Sequence, residues 1–278
     1  MLTLIPTPIG NLEDITLRAL RILRESDLIA CEDTRTSRIL LDKYNIHTKL
    51  VSFHLHNENL KVETLLQELR SGKNICVISD AGTPGISDPG WILLKRALEE
   101  NLDVDVLPGA SALIPGILLS GLSPQPFVFL GFPPEKFSER VRLFESVKAL
   151  EITLCFYVSP HKAEKQISEM REIFGERSCA LVREISKLHQ EAIRGNFSEI
   201  LSRLAEGLKG EFVLVVDGCK NNLDNPDDSW QSEAENLLRD GESVKNIAEL
   251  LSGKFGVKKN LVKKFLLQKN EPLEGLTS

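Results

Sequence analysis

The chain has 278 residues, of which 42% are hydrophobic, so it is long enough for two ordinary domains and too apolar for a disordered protein. Its net charge of −6 excludes a global positive field, so a nucleic-acid partner would need a local basic patch. The five cysteines are odd in number, far apart and without CxxC spacing, which predicts free thiols and no metal site. Neither a signal-peptide pattern nor a membrane-length apolar run occurs, so we expect a cytoplasmic protein with no membrane contact.

Short apolar runs alternate with helical patterns along most of the chain. The runs that predict strands are LTLIP, DLIAC, KLVSF, NICVIS, DVDVLP, FVFLGF, EITLCFYV, SCALVREI and EFVLVVDG. The clearest amphipathic helix between them is LEDITLRALRILRE, for which Asn11 is the predicted N-cap. This order of strand, helix and strand predicts an α/β fold, with largely parallel pairing in the first half.

Two changes of composition divide the chain. The proline-rich LSPQP, residues 122–126, predicts a boundary between two α/β domains. The polar segment NNLDNPDDSW follows the last strand, and beyond it the pattern becomes helical and basic. We therefore predict an N-terminal α/β domain over 1–121, a C-terminal α/β domain over 122–222, and an acidic linker with a basic helical extension over 223–278.

The segment SDAGTPGISDPG, Ser79–Gly90, is an unusually long and glycine-rich connection between a strand and a helix. In open α/β sheets, ligands bind outside the carboxyl ends of the strands. Gly82 would let the backbone approach a ligand, and Asp80 could accept hydrogen bonds from an amine or a hydroxyl. The alternative interpretation is a tight turn in which Asp88 caps the next helix and Pro89 takes its first position.

Three other predicted strands end in segments with similar features. These segments are PTPIGN after the first strand, CEDTRTSR after the second and LPGASA after the fifth. None of the four loops has the GxGxxG pattern after a strand or the GxxxxGK[ST] pattern of a P-loop. If the four loops meet at one edge of a sheet, they build a cleft for a ligand of another kind.

Six segments together resemble one enzyme family in order and spacing: PTPIGNLEDIT, CEDTRTS, FHLHNE, SDAGTPGISDPG, VREISK and KGEFVLVVDG. The family is the small-subunit ribosomal RNA (cytidine-2′-O)-methyltransferases, a branch of the tetrapyrrole methylase-like, class III, S-adenosylmethionine-dependent enzymes. The resemblance covers nearly the whole chain, including the basic GVKKNLVKK. Two segments depart from the family pattern: FYVSPHK has Val158 and Lys162 in place of an acid and an arginine, and PGASA has Ala110 in place of a proline.

The resemblance implies two α/β domains of the tetrapyrrole methylase-like type with a cofactor cleft between them and a C-terminal helical extension. It implies transfer of a methyl group from S-adenosylmethionine to a ribose 2′-hydroxyl of a cytidine in small-subunit (16S) ribosomal RNA. The implied partners are that RNA, within the assembled subunit, and a second copy of the chain in a homodimer. The implied cofactor-binding residues are Ile9, Asp80, Ala81, Gly82, Thr83, Ser111, Ala112, Tyr157, Gly210 and Glu211.

Methyl transfer to a hydroxyl asks the protein for positioning and for partial deprotonation, because a hydroxyl is a poor nucleophile. The candidate bases and positioning residues are Glu32, Asp33, His54 and Glu58. Arg35 and Arg38 could hold phosphates. Structural alternatives stay open: Glu32 could pair with Arg35, His54 could be a core histidine, and Glu58 could cap a helix.

The basic extension contains a second candidate RNA contact. Apolar Val257, Leu261 and Phe265 fall at helical spacing in VKKNLVKKFLL and would dock this helix on the body of the protein. The lysines that would face RNA phosphates are Lys258, Lys259, Lys263 and Lys264. A solvated helix face is the alternative.

Two other functions remain open at this point. One is methylation of a small tetrapyrrole. The lysine-rich extension and the arginines after the second strand argue against it, because such a substrate needs no basic surface. The other is a non-catalytic RNA-binding protein on the same fold, an interpretation that the departure at Val158 keeps open.

Overall fold

The computed structural model describes residues 1–220 and 229–269. Met1–Cys219 form one compact unit, and the chain after Cys219 forms a second. The first unit contains two five-stranded sheets, and the predicted α/β class is confirmed. Most of the predicted acidic linker lies outside the described residues.

The first sheet is wholly parallel, in the order β3-β2-β4-β1-β5. Its strands are β1 Leu2–Leu4, β2 Leu28–Cys31, β3 Leu50–Ser52, β4 Ile75–Ile78 and β5 Val104–Val106. The helices that follow them are α1 Leu17–Glu25, α2 Thr34–Lys43, α3 Glu58–Arg70, α4 Trp91–Glu99 and α5 Leu113–Ser120. The central strands are apolar on both faces because each face of the sheet is covered by a hydrophobic cluster.

The second sheet is mixed, in the order β6-β7-β10-β8-β9, and only its β6–β7 pair is parallel. Its strands are β6 Phe127–Phe129, β7 Thr153–Val158, β8 Ser178–Arg183, β9 Glu191–Asn196 and β10 Phe212–Val216. The helices in this half are α6 Phe137–Val147, α7 Ala163–Phe174 and α8 Phe197–Ala205. Strand β9 has no counterpart among the predicted strands, because its sequence EAIRGN has no apolar run.

The two sheets of the first unit are joined through α5, which follows the first sheet in sequence but packs against the second. A Cβ atom on Gly116 would lie 2.7 Å from Cγ1 of Val213, so the helix approaches β10 more closely than any other residue would allow. Ile117 is buried in the same cluster as Val182 and Val215. The predicted boundary near residue 121 therefore falls between α5 and β6, and the helix before it is part of the second sheet's packing.

The start of α1 differs from the sequence prediction. Asn11 caps a short 3₁₀ turn, Leu12–Asp14, by accepting a hydrogen bond from the Glu13 backbone. The α-helix begins at Leu17, where Thr16 accepts a hydrogen bond from the Ala19 backbone at 3.1 Å. A threonine in an extended backbone conformation is a good N-cap, so the nearer residue takes the role predicted for Asn11.

The second unit contains three helices in its described part: α9 Ser229–Arg239, α10 Val244–Phe255 and α11 Lys259–Lys269. Trp230, Leu251, Val262 and Leu266 are buried in its own hydrophobic cluster. Val257 belongs to that cluster, and Leu261 and Phe265 pack against it. These three residues thus stabilise the second unit itself, and docking of the helix on the body of the protein stays a prediction. Within the described ranges, no helix is long and apolar enough to cross a membrane.

Candidate active site at the strand ends

The four loops that follow β1, β2, β4 and β5 meet at one edge of the first sheet. Thr7 and Gly82 exchange two backbone hydrogen bonds, each 2.9 Å long. The Thr83 hydroxyl donates to the Ala110 carbonyl at 3.2 Å, and the Asp33 backbone donates to Oδ1 of Asp80 at 3.1 Å. The convergence follows from topology, because the carboxyl ends of parallel strands lie at the same edge of a sheet.

The long loop Ser79–Gly90 is held in shape by glycines and by Glu58. Gly82, Gly85 and Gly90 all have positive φ angles, of 82°, 88° and 131°. The following helix begins only at Trp91, with Gly90 before it, and the Gly90 backbone donates to Oε1 of Glu58 at 3.0 Å. The alternative in which Asp88 caps this helix and Pro89 begins it is therefore wrong.

A cleft of about 550 Å³ lies between these loops and the second sheet. Nine of the ten cofactor-binding residues implied by the resemblance line it: Ile9, Asp80, Ala81, Gly82, Thr83, Ser111, Ala112, Tyr157 and Glu211. The other residues that line it are Glu32, Ile86, Ser87, Asp88, Leu113, Phe129, Phe132, Val158, Ser159, Pro160, Ile185, Phe212 and Val213. The lining is mostly apolar with a few polar groups, as is usual for small-molecule sites.

Three of the four described carboxylates that line the cleft, those of Glu32, Asp80 and Asp88, come from the first sheet, and the fourth is that of Glu211. Burial, together with the charges of Glu32 and Asp80, raises the pKa of Asp88 to about 6. Burial, followed by the neighbouring Asp80, also raises the pKa of Glu32. The pKa of Asp80 is raised by burial as well. Three acids that share one partly dry cleft disfavour one another's ionisation, so this side of the cleft can hold a proton near neutral pH.

The opposite side of the cleft is aromatic and comes from the second sheet. The Tyr157 ring makes edge-on contacts with Phe129, at a centroid distance of 4.8 Å, and with Phe132, at 5.5 Å. Tyr157 is half-buried, and its pKa is raised by that burial despite a hydrogen bond with Ser111. The hydrogen bond links the second sheet to the loop that follows β5.

The loop at Gly210 and Glu211 approaches the cleft from the second sheet. Gly210 has a φ of +110°, and a Cβ atom there would lie 2.4 Å from Oε1 of Glu184. That carboxylate accepts hydrogen bonds from the Glu211 backbone at 3.0 Å and from Lys187 at 3.1 Å. Gly210 does not itself line the cleft but lets the chain turn tightly so that Glu211 does.

Three of the predicted bases and positioning residues, Asp33, His54 and Glu58, do not line the cleft. Asp33 caps α2 and chelates the Arg35 guanidinium, at 2.7 Å for Oδ2, which holds the pKa of Asp33 at about 2. Arg35 therefore pairs with Asp33 and not with Glu32, as one alternative had it. His54 is half-buried, and its Nδ1 is enclosed without a hydrogen-bond partner among the described residues. Glu58 is 4% exposed, away from the cleft lining, and holds the start of α4.

The predicted phosphate-binding residues lie at the surface. Arg35 and Arg38 are exposed on α2, next to the cleft loops. Four lysines lie just before α11 or in its first two turns. Three of them, Lys258, Lys259 and Lys264, are exposed, and Lys263 is half-buried. Lys259 lies 3.3 Å from Glu249 of α10, where both side chains are half exposed, so this pair is weak and leaves the lysine accessible.

The departures from the family pattern have simple structural consequences. Val158 is buried in the second sheet's core, 1% exposed, and also borders the cleft. Lys162 forms an ion pair with Glu135, so a cation is retained where the family has arginine. Ala110 contributes its backbone carbonyl to Thr83, which a proline could do equally. None of the three removes a polar group from the carboxylate side of the cleft.

Two features of the cleft are absent from the residues singled out in the sequence. The sequence around Asp88 predicts a helix cap, although an aspartate at the end of a glycine-rich ligand loop is also a signal for a site residue. Phe129 and Phe132 lie in the strand-like run FVFLGF, which gives no sign that Phe132 is exposed.

Comparison with known proteins identifies the class to which this fold and site belong. Residues 1–201 match the family described as Tetrapyrrole (Corrin/Porphyrin) Methylases, and the chain belongs to that family. The uroporphyrin-III-C-methyltransferase of Thermus thermophilus has a similar fold, with a TM-score of 0.55 and 19% identity over 78% of this chain and 93% of that one.

Closer relatives share one name. The chain is 40% identical over 273 residues to the ribosomal RNA small subunit methyltransferase I of Bacillus subtilis, a match that covers 98% of this chain and 91% of the relative. It is 42% identical over 218 residues to the protein of the same name from Thermotoga maritima, which covers 78% of this chain and 98% of the relative.

Proposed function

We propose that this protein transfers a methyl group from S-adenosylmethionine to the ribose 2′-hydroxyl of a cytidine in small-subunit ribosomal RNA. The observation that carries the proposal is the cleft at the strand ends, in which residues of separate family-like segments and three carboxylates come together. A relative that matches 98% of the chain is named as a small-subunit ribosomal RNA methyltransferase.

The cleft suits S-adenosylmethionine in size and chemistry. Its volume of about 550 Å³ lies within the usual range for cofactor sites, and its apolar lining suits the adenine and the methionine stem. The backbone at Gly82, with φ +82°, carries no side chain that would block the close approach of a ligand. When bound, S-adenosylmethionine supplies an electrophilic methyl group on a positively charged sulfur.

The chain's own contribution to the chemistry is to accept the proton that the ribose hydroxyl loses during methyl transfer. A general base works best when its pKa lies near the working pH, and Asp88, with a pKa of about 6, meets that condition. Glu32, with a raised pKa, lies beside it and can orient the same hydroxyl. Asp33 is a much weaker base because Arg35 holds its pKa at about 2. We therefore assign Asp88 as the general base that accepts the hydroxyl proton and Glu32 as the residue that orients the hydroxyl. Asp33 and Glu58 remain structural residues.

The charge distribution favours entry of a ribose over entry of a phosphate. A phosphate would be repelled by Glu32, Asp80 and Asp88, whereas hydroxyl groups can donate hydrogen bonds to them. The phosphates on either side of the target nucleotide would instead contact Arg35 and Arg38, which are exposed next to the cleft loops. The lysines of α11 are a second, separate contact with the RNA backbone.

The finer features of the function follow from the resemblance. The substrate is the RNA within the assembled small subunit, the working form is a homodimer, and the reaction takes place in the cytoplasm. Each has a direct measurement: methyl transfer to intact subunits against naked RNA, mass in solution by light scattering, and cell fractionation.

The test is methyl transfer with radiolabelled S-adenosylmethionine. The acceptors are small subunits from cells that lack this gene and, in parallel, a uroporphyrin-type tetrapyrrole. The proposal expects label in the RNA, recovered as 2′-O-methylcytidine after digestion to nucleosides. Label in the tetrapyrrole would identify a different enzyme of the family. Binding of S-adenosylmethionine without transfer to either acceptor would support the non-catalytic alternative.

A further inference from the structure

Phe132 is an exposed aromatic side chain on the border of the cleft. It is 54% exposed and follows closely on the edge strand β6, while Tyr157 beside it is half-buried. Both side chains line the cleft. Because this exposed ring also lines the cleft, a ligand that binds there can cover it and remove its apolar surface from water.

Edge-on contacts hold the ring without covering it. The Phe132 and Tyr157 rings meet at 5.5 Å with an interplanar angle of 61°, and Tyr157 meets Phe129 at 4.8 Å and 66°. In a T-shaped pair, at most one face of each ring is covered by the other ring. A face of Phe132 is therefore available for stacking.

The loop that carries Phe132 is fixed from both sides. The Tyr157 backbone donates to the Gly131 carbonyl at 3.0 Å, and two prolines follow Phe132 in the sequence. The Arg140 guanidinium donates to the carbonyls of Pro134 and Glu135, at 2.8 and 2.9 Å.

The other side of that guanidinium is bound to Glu169 at 2.8 Å, in a pair whose two residues are only 3% and 8% exposed. A buried ion pair is retained at a desolvation cost, and here its remaining donors are satisfied by the loop carbonyls. The loop is thus rigid before any ligand binds, which reduces the entropy lost on binding.

We propose that Phe132 stacks on the nucleobase of the target nucleotide and so sets the position of its ribose. This inference rests on the proposed function. Unpaired RNA bases are commonly bound by stacking on aromatic side chains. Glu32, Asp80 and Asp88 lie on the first-sheet side of the cleft and Phe132 on the second-sheet side, so a base on the ring places its ribose inside the cleft. Phe132 is the most exposed of the three aromatic residues. This is expected for contact with a base of the small subunit, which is too large to enter the cleft as a whole.

The first experiment measures binding of two ligands to the full-length protein. Phe132→Ala is expected to lower affinity for unmethylated small subunits by about 5- to 150-fold, the range typical of one base–aromatic stack. Affinity for S-adenosylmethionine, by calorimetry, is expected to stay within about twofold of wild type. Phe137→Ala is the matched control: it is also an exposed phenylalanine, at 59%, outside the cleft lining, and its ring faces Arg140 at 5.8 Å. The control therefore also reports any damage to the loop's support.

The second experiment reads stacking directly. Phe132→Trp is expected to retain subunit affinity, and Phe132→Leu is expected to behave like Phe132→Ala, because only the former keeps an aromatic face. The fluorescence of Phe132→Trp should be quenched when subunits are added, above the background of the two native tryptophans.

Two results would overturn the inference. Quenching by S-adenosylmethionine alone, with a matching loss of cofactor affinity in Phe132→Ala, would assign the ring to the cofactor's adenine. Wild-type subunit affinity in Phe132→Ala would remove the stack altogether. Failure of the proposed function would look different, as absence of methyl transfer by the wild-type protein, and the binding measurements would still decide what Phe132 contacts.

Discussion

Asp88 is the residue on which the proposed chemistry depends most. We expect the rate of methyl transfer to rise with pH through about 6 and to level off above it, because only the ionised carboxylate can accept the hydroxyl proton. Asp88→Asn should lower kcat by about 100-fold or more and abolish this acid limb. Asp42→Asn, on the exposed surface of α2, is the control. A variant at position 88 with a wild-type pH profile of kcat would contradict the assignment.

The same carboxylate should make the fold less stable at neutral pH. Its pKa is 3.8 in the reference state and about 6 in the folded protein, so ionisation is harder in the fold. Its favourable contribution is complete below pH 3.8 and is lost as pH rises through about 6. Asp88→Asn should therefore raise the melting temperature at pH 8 by about 2–4 °C and leave it unchanged near pH 4. A lower melting temperature at pH 8 would show that the carboxylate has a structural role.

Gly82 tests the position of the cofactor. Gly82→Val should weaken binding of S-adenosylmethionine at least tenfold, because a branched side chain would enter the cleft from the loop backbone. Gly72→Val is the matched control, since Gly72 has a similar φ of +88° but open space around it. Both variants carry the same backbone strain, so equal calorimetric affinities in the two would mean that the cofactor does not approach Gly82.

The sequence predicted site residues where a local signal marks a strand end, and missed those that depend on three-dimensional packing. Asp80 is marked by its position directly after a predicted strand, whereas Ile9 and Ser111 are implied by the family resemblance, and all three line the cleft. Asp88 precedes a proline and a helix, a pattern typical of a cap. Its carboxylate reaches the cleft because Gly90, at φ +131°, turns the chain before the helix begins. Phe132 has the composition of a core residue, and only the fixed loop after β6 exposes it.

At the scale of elements, α11 is the segment whose function the sequence addresses most directly. Charge reversal at its four lysines, Lys258→Glu, Lys259→Glu, Lys263→Glu and Lys264→Glu, should lower affinity for small subunits. It should also reduce the slope of log affinity against log salt, by at most about one unit for each phosphate that is no longer neutralised. Affinity for S-adenosylmethionine should not change, because no residue of the described part of the second unit lines the cleft.

The control for α11 is the same charge change elsewhere. Lys61, Lys95, Lys136 and Lys148 are lysines of the first unit that do not line the cleft, and their side chains reach solvent. Their replacement by glutamate alters net charge equally. Equal salt slopes in the two variants would assign the α11 lysines to solubility and leave RNA recognition to the cleft loops.

Elements with strong local periodicity were predictable, and those defined by long-range pairing were not. The nine apolar runs each contain one observed strand, but β9 has a polar sequence and is a strand only because it pairs with β8 along its whole length. The position of β10 between β7 and β8 could not be derived either, since it depends on packing between distant segments. The parallel pairing of the first sheet was predictable because alternating strands and helices favour it, whereas its strand order was not predicted.

At the scale of the whole molecule, the two units have separate hydrophobic cores. The clusters around both sheets lie within residues 1–219, and the cluster around Trp230 lies within the second unit. The relative from Thermotoga maritima matches 78% of this chain with 98% of its own length, so it has few residues left for a second unit. Termination after Cys219 should therefore leave S-adenosylmethionine affinity unchanged and weaken binding to small subunits. Loss of cofactor binding in a folded truncated protein would contradict this division.

The central claim is that the cleft methylates a cytidine ribose of small-subunit RNA. Its most direct test is nucleoside mass spectrometry of small-subunit RNA from cells with and without the gene, and from deleted cells that express the wild type, Asp88→Asn or Asp42→Asn. The account predicts that deletion removes 2′-O-methylcytidine from this RNA, and that the wild type and Asp42→Asn restore it while Asp88→Asn does not. An unchanged content of 2′-O-methylcytidine after deletion would contradict the account.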